Sequence, residues 1–133
     1  MGANLVNTLA EAVATEIRTQ LDVDILMSIL SNYATHSLAT ATCAVPVAQL
    51  ATRTLTGQQV AERIYQASAL AQVDPYRAVT HNKGIMNGID EVVLAMGNDR
   101  RSVESGAHAY ASRRGHYQGL SRWCLADGHL HAD

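Results

Sequence analysis

The segment Asp74-Pro75-Tyr76-Arg77-Ala78-Val79-Thr80-His81-Asn82-Lys83-Gly84-Ile85-Met86-Asn87-Gly88 decides how this chain is read. Asp74-Pro75 is a helix start, with Asp as the cap and Pro at the first helical position, where its missing N–H costs nothing. The helix it opens carries a single lysine, Lys83, among Thr, His and Asn side chains. An apolar stripe of Ile85, Ile89, Val92, Val93 and Met96 is expected to continue it toward the core. Gly97 is a helix stop, and Asn98 or Asp99 caps the next helix, whose apolar side is Val103, Ala107, Tyr110 and Ala111. Gly115 is expected to end that helix.

Upstream, Leu5, Leu9, Val13 and Ile17 recur every fourth residue and predict a helix over residues 2–20. Val23, Ile25, Met27 and Ile29 alternate with Asp24, Leu26, Ser28 and Leu30, which predicts a strand. A second strand is expected within residues 38–47, at a sheet edge because of Pro46. Thr56-Gly57-Gln58-Gln59 fits a capping box opening a helix through Ala71. Near the end, Asp127-Gly128 is a hairpin turn signal. The five residues after it are expected to stop short of a return strand. With an uncapped first helix as well, the chain reads as cut from something larger.

Composition narrows the function classes. The 133 residues, 47% apolar and 17% charged, read as one modest globular core. The formal net charge of −2, with both signs interspersed, argues against a nucleic-acid surface. No apolar run is long enough for a membrane span, and the N-terminus lacks a signal-peptide pattern. Cys43 and Cys124 lack metal-ligand spacing. A disulfide stays open, but reduced thiols in a cytosolic protein are the favoured reading. The six histidines have no zinc-type companions, so no metal is expected.

For chemistry, Lys83 is the sharpest candidate. A buried ammonium needs a partner, and Asp99 or Asp90 offers a carboxylate. A Lys–Asp pair facing a cleft stabilises an oxyanion or moves a proton. From the residues alone a plain salt bridge or a solvated lysine is the better-founded reading. Arg77, six residues earlier, shares an anion with Lys83 only if the helix bends near Gly84. Asn82 and Asn87 are candidates to orient Lys83 or a substrate oxygen. His81 is a catalytic candidate, but a surface or core histidine is the better reading of it. Gly2 and Asn4 offer free helix N–H groups to a phosphate or nicotinamide, a weak signal by itself.

Together these motifs, with Gly97-Asn98-Asp99 and Glu104-Ser105-Gly106-Ala107-His108-Ala109-Tyr110-Ala111, resemble the hydroxymethylglutaryl-coenzyme A (HMG-CoA) reductases, the bacterial class II form most closely. The resemblance implies reduction of HMG-CoA to mevalonate and CoA with two hydrides from NAD or NADP cofactors. It makes Lys83 and Asp99 the catalytic pair, hydrogen-bonded to each other. Arg77 becomes the contact to the HMG carboxylate, Asn87 a polar partner near the reacting carbonyl, and Gly2 and Asn4 the end of a cofactor motif. The implied fold is α+β. Residues 1–47 would be the C-terminal part of a small NAD(P)-binding domain, and residues 48–133 part of a large, mainly helical substrate domain. A cytoplasmic homodimer is expected of the full-length protein, with no nucleic-acid or membrane partner. Two departures bear on activity. The family's catalytic glutamate and histidine match no residue here, and Arg100 stands where a tryptophan is usual. The alternative reading is a remnant that folds and binds CoA-type ligands without turnover.

Overall fold

A computed structural model describes residues 2–133, without the side chains of residues 2 and 3. It contains four helices and a three-stranded antiparallel sheet among the described residues, an α+β arrangement. The chain divides into two compact units, residues 1–32 and residues 33–133.

The first unit is helix α1, Gly2–Gln20, followed by extended chain. The expected helix forms, but its apolar stripe stays open. Leu5, Leu9 and Val13 are exposed, and Ala14 is the buried apolar residue of the helix. The strand predicted over residues 23–30 does not form. Alternation fits a strand only if a neighbour takes its backbone groups, and no strand among the described residues pairs with this stretch. Leu26, Met27 and Ile29 accordingly lie exposed. Side chains of α1 hold the segment instead. Asn7 Oδ1 accepts from the Leu30 N–H at 2.9 Å, and Arg18 donates to the Ile25 carbonyl at 3.0 Å.

The second unit begins with strand β1, Cys43–Pro46, shorter than the expected 38–47. A 3-10 turn, Val47–Leu50, leads to helix α2, Gly57–Val73. Thr56 and Gln59 form the predicted capping box, each side chain accepting from the other's backbone N–H. Helix α3, Pro75–Ala95, starts on Asp74, whose carboxylate accepts from the Tyr76 N–H at 3.0 Å. It runs unbroken through Gly84 and Gly88. Gly97, at φ +71°, closes it, and Asp99 caps helix α4, Arg100–Ala111. Strands β2, Trp123–Ala126, and β3, His129–Ala132, complete the unit.

The end of the chain departs from expectation. The return strand does form, and it is the central one, in the order β1-β3-β2. Asp127 and Gly128 have φ of 50° and 73°, the two left-handed residues that a tight hairpin turn requires. β1 pairs Cys43 with Ala132 and Pro46 with His129, so this strand is built with residues 33–133. The sheet lies on α2, with Leu130 buried and the Trp123 N–H donating to the buried Ser68 hydroxyl at 3.0 Å.

The predicted stripe on α3 is only partly a core face, with Ile85 and Val93 half-buried. Ala78, Asn82 and Met86 are buried, whereas Ile89, Val92 and Met96 are exposed. Helix contacts in this unit are made by small residues, with Ala61, Ala71, Ala78 and Ala111 essentially inaccessible. Close approach is strictest at Gly57, where an added Cβ would sit 1.9 Å from the Val47 carbonyl oxygen.

Asn82 is the largest polar group in this core. Its amide donates to the Gln118 carbonyl at 2.9 Å, and its Oδ1 accepts from the Leu120 N–H at 2.8 Å. Substitution Asn82→Ala strands both backbone groups, each costing about 1–3 kcal/mol when buried. Urea denaturation of Asn82→Ala is expected to show a loss of about 2–6 kcal/mol, from those two groups together. An unchanged midpoint would remove Asn82 as the clamp.

Candidate functional site

The sequence-predicted site residues lie mostly on α3, and its faces separate them. With Asn82 turned inward, Lys83 falls on the outer face, and Asn87 follows one turn on; both are exposed. Gly84 and Gly88 flank them, and a Cβ added at either would meet nothing within 4 Å. The outer face is therefore open and unencumbered around the ammonium. Asn82 does not orient Lys83 by touching it, because both ends of its amide are spent on residues 118–120.

Arg77 and His81 sit on a third face, one turn apart and half-buried. Because α3 does not break at Gly84, Arg77 and Lys83 point in different directions. His81 Nε2 lies 3.0 Å from Ser121 Oγ. Burial holds the His81 imidazole below its ordinary value, and the positive Arg77 guanidinium adds to that. Arg77 takes part in no ion pair among the described residues. A half-buried guanidinium without a carboxylate is a receptor for an anion.

Asp99 is not joined to Lys83. Its carboxylate accepts from the backbone N–H groups of Arg101 at 3.0 Å and Ser102 at 3.4 Å, and lies 3.8 Å from Arg101 Nε. The expected direct Lys–Asp bond is absent for a reason of helix geometry. The Asn98 N–H bonds to the Val93 carbonyl, so Asp99 stands beside the last turns of α3. Lys83 is ten residues earlier than Val93, roughly 15 Å along the axis. A lysine side chain spans only about 6 Å. The other candidate carboxylate, Asp90, faces Arg100 at 3.8 Å.

Gly2 and Asn4 lie in the first turn of α1, where backbone N–H groups have no intrahelical partner. Met1, the residue before them in the motif, lies outside the described residues. Among the described residues no three His, Cys, Asp or Glu side chains are grouped to hold a metal ion, and no helix is long and apolar enough to cross a membrane. Cys43 and Cys124 are free thiols.

What sequence reasoning missed is the strap formed by residues 116–123. Besides the Asn82 bonds, Gln72 Nε2 donates to the carbonyls of Gly119 and Ser121, at 3.3 and 3.1 Å. Gln118 Nε2 returns a bond to the Gln72 carbonyl at 3.0 Å, and His108 Nδ1 meets the Tyr117 hydroxyl at 2.6 Å. One signal was available. Asn82 lies four residues from both Ala78 and Met86, on one helical face.

Comparison with known proteins defines first a class and then a family. Over 98% of its length the chain superimposes on the class II 3-hydroxy-3-methylglutaryl-CoA reductase of Streptococcus pneumoniae bound to NADPH in open conformations, with a TM-score of 0.88 and 50% identity. It therefore has the fold of part of a class II reductase, covering 36% of that chain. A family model described as hydroxymethylglutaryl-coenzyme A reductase matches residues 1–133, and the chain belongs to that family. It is 44% identical over 116 residues to the 3-hydroxy-3-methylglutaryl-coenzyme A reductase of Archaeoglobus fulgidus, covering 87% of this chain and 26% of the relative. It is 37% identical over 130 residues to the probable reductase of Borreliella burgdorferi, covering 98% of this chain and 30% of the relative. The chain thus spans about a third or less of the relatives it matches.

The His81 environment sets an expected pH dependence. The folded state lowers the pKa from 6.5, so the unfolded chain binds the proton more readily. The stabilising contribution is complete above pH 6.5 and is lost as pH falls through the lower folded value. Urea midpoints measured between pH 7.5 and pH 5 should fall for the wild type and fall less for His81→Gln. Parallel pH profiles would contradict this account of His81.

Proposed function

We propose that this chain is the part of an HMG-CoA reductase that supplies the catalytic lysine and aspartate for reduction of HMG-CoA to mevalonate and CoA. The observation that carries the reading is the family match across residues 1–133, with Lys83 standing free on an open helix face. Bound NADH or NADPH would supply the two hydrides, one per reduction, and leave as the oxidised cofactor. The first-turn N–H groups of α1, at Gly2 and Asn4, fit an anionic part of such a cofactor, being unpaired donors at a helix N-terminus.

The roles of the chain's own residues follow from their chemistry. The Lys83 ammonium would donate to the oxygen of the thioester carbonyl as the first hydride reaches the carbonyl carbon and negative charge develops on the oxygen; hydride on carbon and proton on oxygen together give a hemithioacetal. That intermediate releases CoA and leaves mevaldehyde. The same ammonium then serves the aldehyde oxygen in the second reduction. Asn87, one turn on, offers an amide to the same carbonyl region. Arg77 takes the distal carboxylate of the HMG group through paired N–H donors. In the architecture this reading implies, residues 1–47 close a small cofactor domain and residues 48–133 belong to the large substrate domain. Strand β1, bonded to β3, forms the junction.

The separation of Lys83 from Asp99 gives the expected homodimer a chemical purpose. The shortfall of several ångströms within one chain is removed if Asp99 comes from a second copy. Lys83 and Asp99 then form a composite site, with the aspartate tuning the ammonium. The short span of the chain beside its relatives favours one competing reading, a segment that folds and binds CoA-type ligands without turnover.

The test adds this chain to the remaining portions of a class II reductase and follows NADPH oxidation with HMG-CoA. Restored turnover, reduced about 10²–10³-fold or more by Lys83→Ala, supports the reading, by analogy with removal of an oxyanion donor. A well-formed complex without turnover supports the non-catalytic segment. Mixing equal amounts of Lys83→Ala and Asp99→Asn chains should restore roughly a quarter of the activity through random pairing into two-fold dimers. No recovery would place both groups on one chain.

A further inference from the structure

We propose that Arg77 and His81 form one proton-linked carboxylate subsite, in which an anion seated on the Arg77 guanidinium draws a proton onto His81. The inference rests on the reading that Arg77 meets the carboxylate of the substrate, and adds a second, switchable cation to that contact.

The geometry supports it in three ways. Arg77 and His81 are one turn apart on α3, so they share a face, and both are half-buried. Arg77 has no carboxylate within ion-pair distance among the described residues, which leaves its charge available. Finally, the imidazole faces groups that can tolerate either charge state. From the strap come Ser121, at 3.0 Å from Nε2, and Gly119, where an added Cβ would lie 3.2 Å from the ring. From α2 comes Gln72, whose amide nitrogen is bonded to the carbonyls of Gly119 and Ser121. None of these is titratable or charged. Burial is the larger cause of the lowered proton affinity of His81, and repulsion by the Arg77 cation adds to it.

That single repulsion is what a bound carboxylate cancels. In the free protein, protonating His81 would place two cations one turn apart. With a carboxylate on Arg77 the neighbouring charge is neutralised, and the imidazolium gains an anion of its own. Ser121 accommodates the change because a hydroxyl both donates and accepts. When Nε2 carries a proton it donates to Ser121 Oγ, and the hydroxyl hydrogen is released toward the ligand. Linkage makes the effect reciprocal: if the anion raises the proton affinity of His81, a lower pH raises the affinity for the anion by the same factor.

Glutarate, a five-carbon dicarboxylate without the thioester, is the probe. The His81 ring protons are followed by NMR as the 133-residue chain is titrated with acid, with and without glutarate. Glutarate should raise the His81 titration midpoint. Its affinity should increase about two- to fivefold from pH 7.5 to pH 6.0, the low end of usual couplings between sites. His81→Gln should bind glutarate with an affinity independent of pH over this range, and Arg77→Gln should lose binding. Binding that requires Arg77 but leaves the His81 midpoint unmoved would overturn the linkage while preserving the role of Arg77 in the proposed reaction. No binding at either pH would remove the subsite altogether, leaving the reconstitution of reductase activity to decide the broader reading.

Discussion

The two hydrogen bonds of Asn82 are the constraint on which the second unit depends. Asn82 is wholly buried, and both ends of its amide are used, one on the Gln118 carbonyl and one on the Leu120 N–H. A buried amide left unpaired costs more than a paired one gains, so the arrangement is nearly all-or-none. α3 must present this position to the strap, and the strap must present residues 118–120 in extended form. Gly119 is required for the approach, since a Cβ there would lie 2.7 Å from Gln72 Nε2. The strap then leads directly into β2, and so the sheet inherits its position from the same contact.

Fixing the rotation of α3 also distributes its chemistry. A helix turns 100° per residue, so burying Asn82 decides where every other side chain points. Lys83 and Asn87 go outward, beside two glycines that leave the face open. Arg77 and His81 go to the flank that borders Ser121. The helix thus holds an exposed ammonium on one face and a half-buried guanidinium on another. The core that supports it is made mainly of alanines. Small side chains contribute little apolar area each, so polar pairing between strap and helices has a large share of the specificity.

The parts of this architecture that were legible in the sequence are those whose cause is local. Thr56 with Gln59, Asp74 before Pro75, and Asp127 before Gly128 each complete their bonds or turns within a few residues, and each forms as read. The parts that were not legible depend on distant partners. Val23–Leu30 alternates as a strand should, but no strand among the described residues pairs with it. The residues after Gly128 read as stopping short of a return strand, yet His129–Ala132 is the central strand of the sheet. It is central because β1, more than eighty residues earlier in the chain, supplies its second edge. The contacts of Asn82 and His81 span 36 to 40 residues and leave no local signature. For the site, motif resemblance offers Lys83, Arg77, Asn87 and Asp99 as candidates, but it does not tell that Arg77 lies on another face of α3 from Lys83 and Asn87, or that Asp99 caps α4.

The division bears on what kind of site the helix can serve. A straight helix cannot bring Arg77 and Lys83, six positions apart, to one point, because each residue advances about 1.5 Å along the axis. Groups so placed converge only if the substrate is long enough to span them or another polypeptide carries the complementary group. The proposed substrate, with a carboxylate at one end and a thioester at the other, would meet the first condition: Arg77 would anchor one end and Lys83 would answer the other. Asp99 is held rigidly as a helix cap, through the backbone N–H groups of Arg101 and Ser102, which fixes its carboxylate in place. A carboxylate so held stands away from Lys83 of its own chain, and in the proposed composite site it would meet a lysine carried by a second copy.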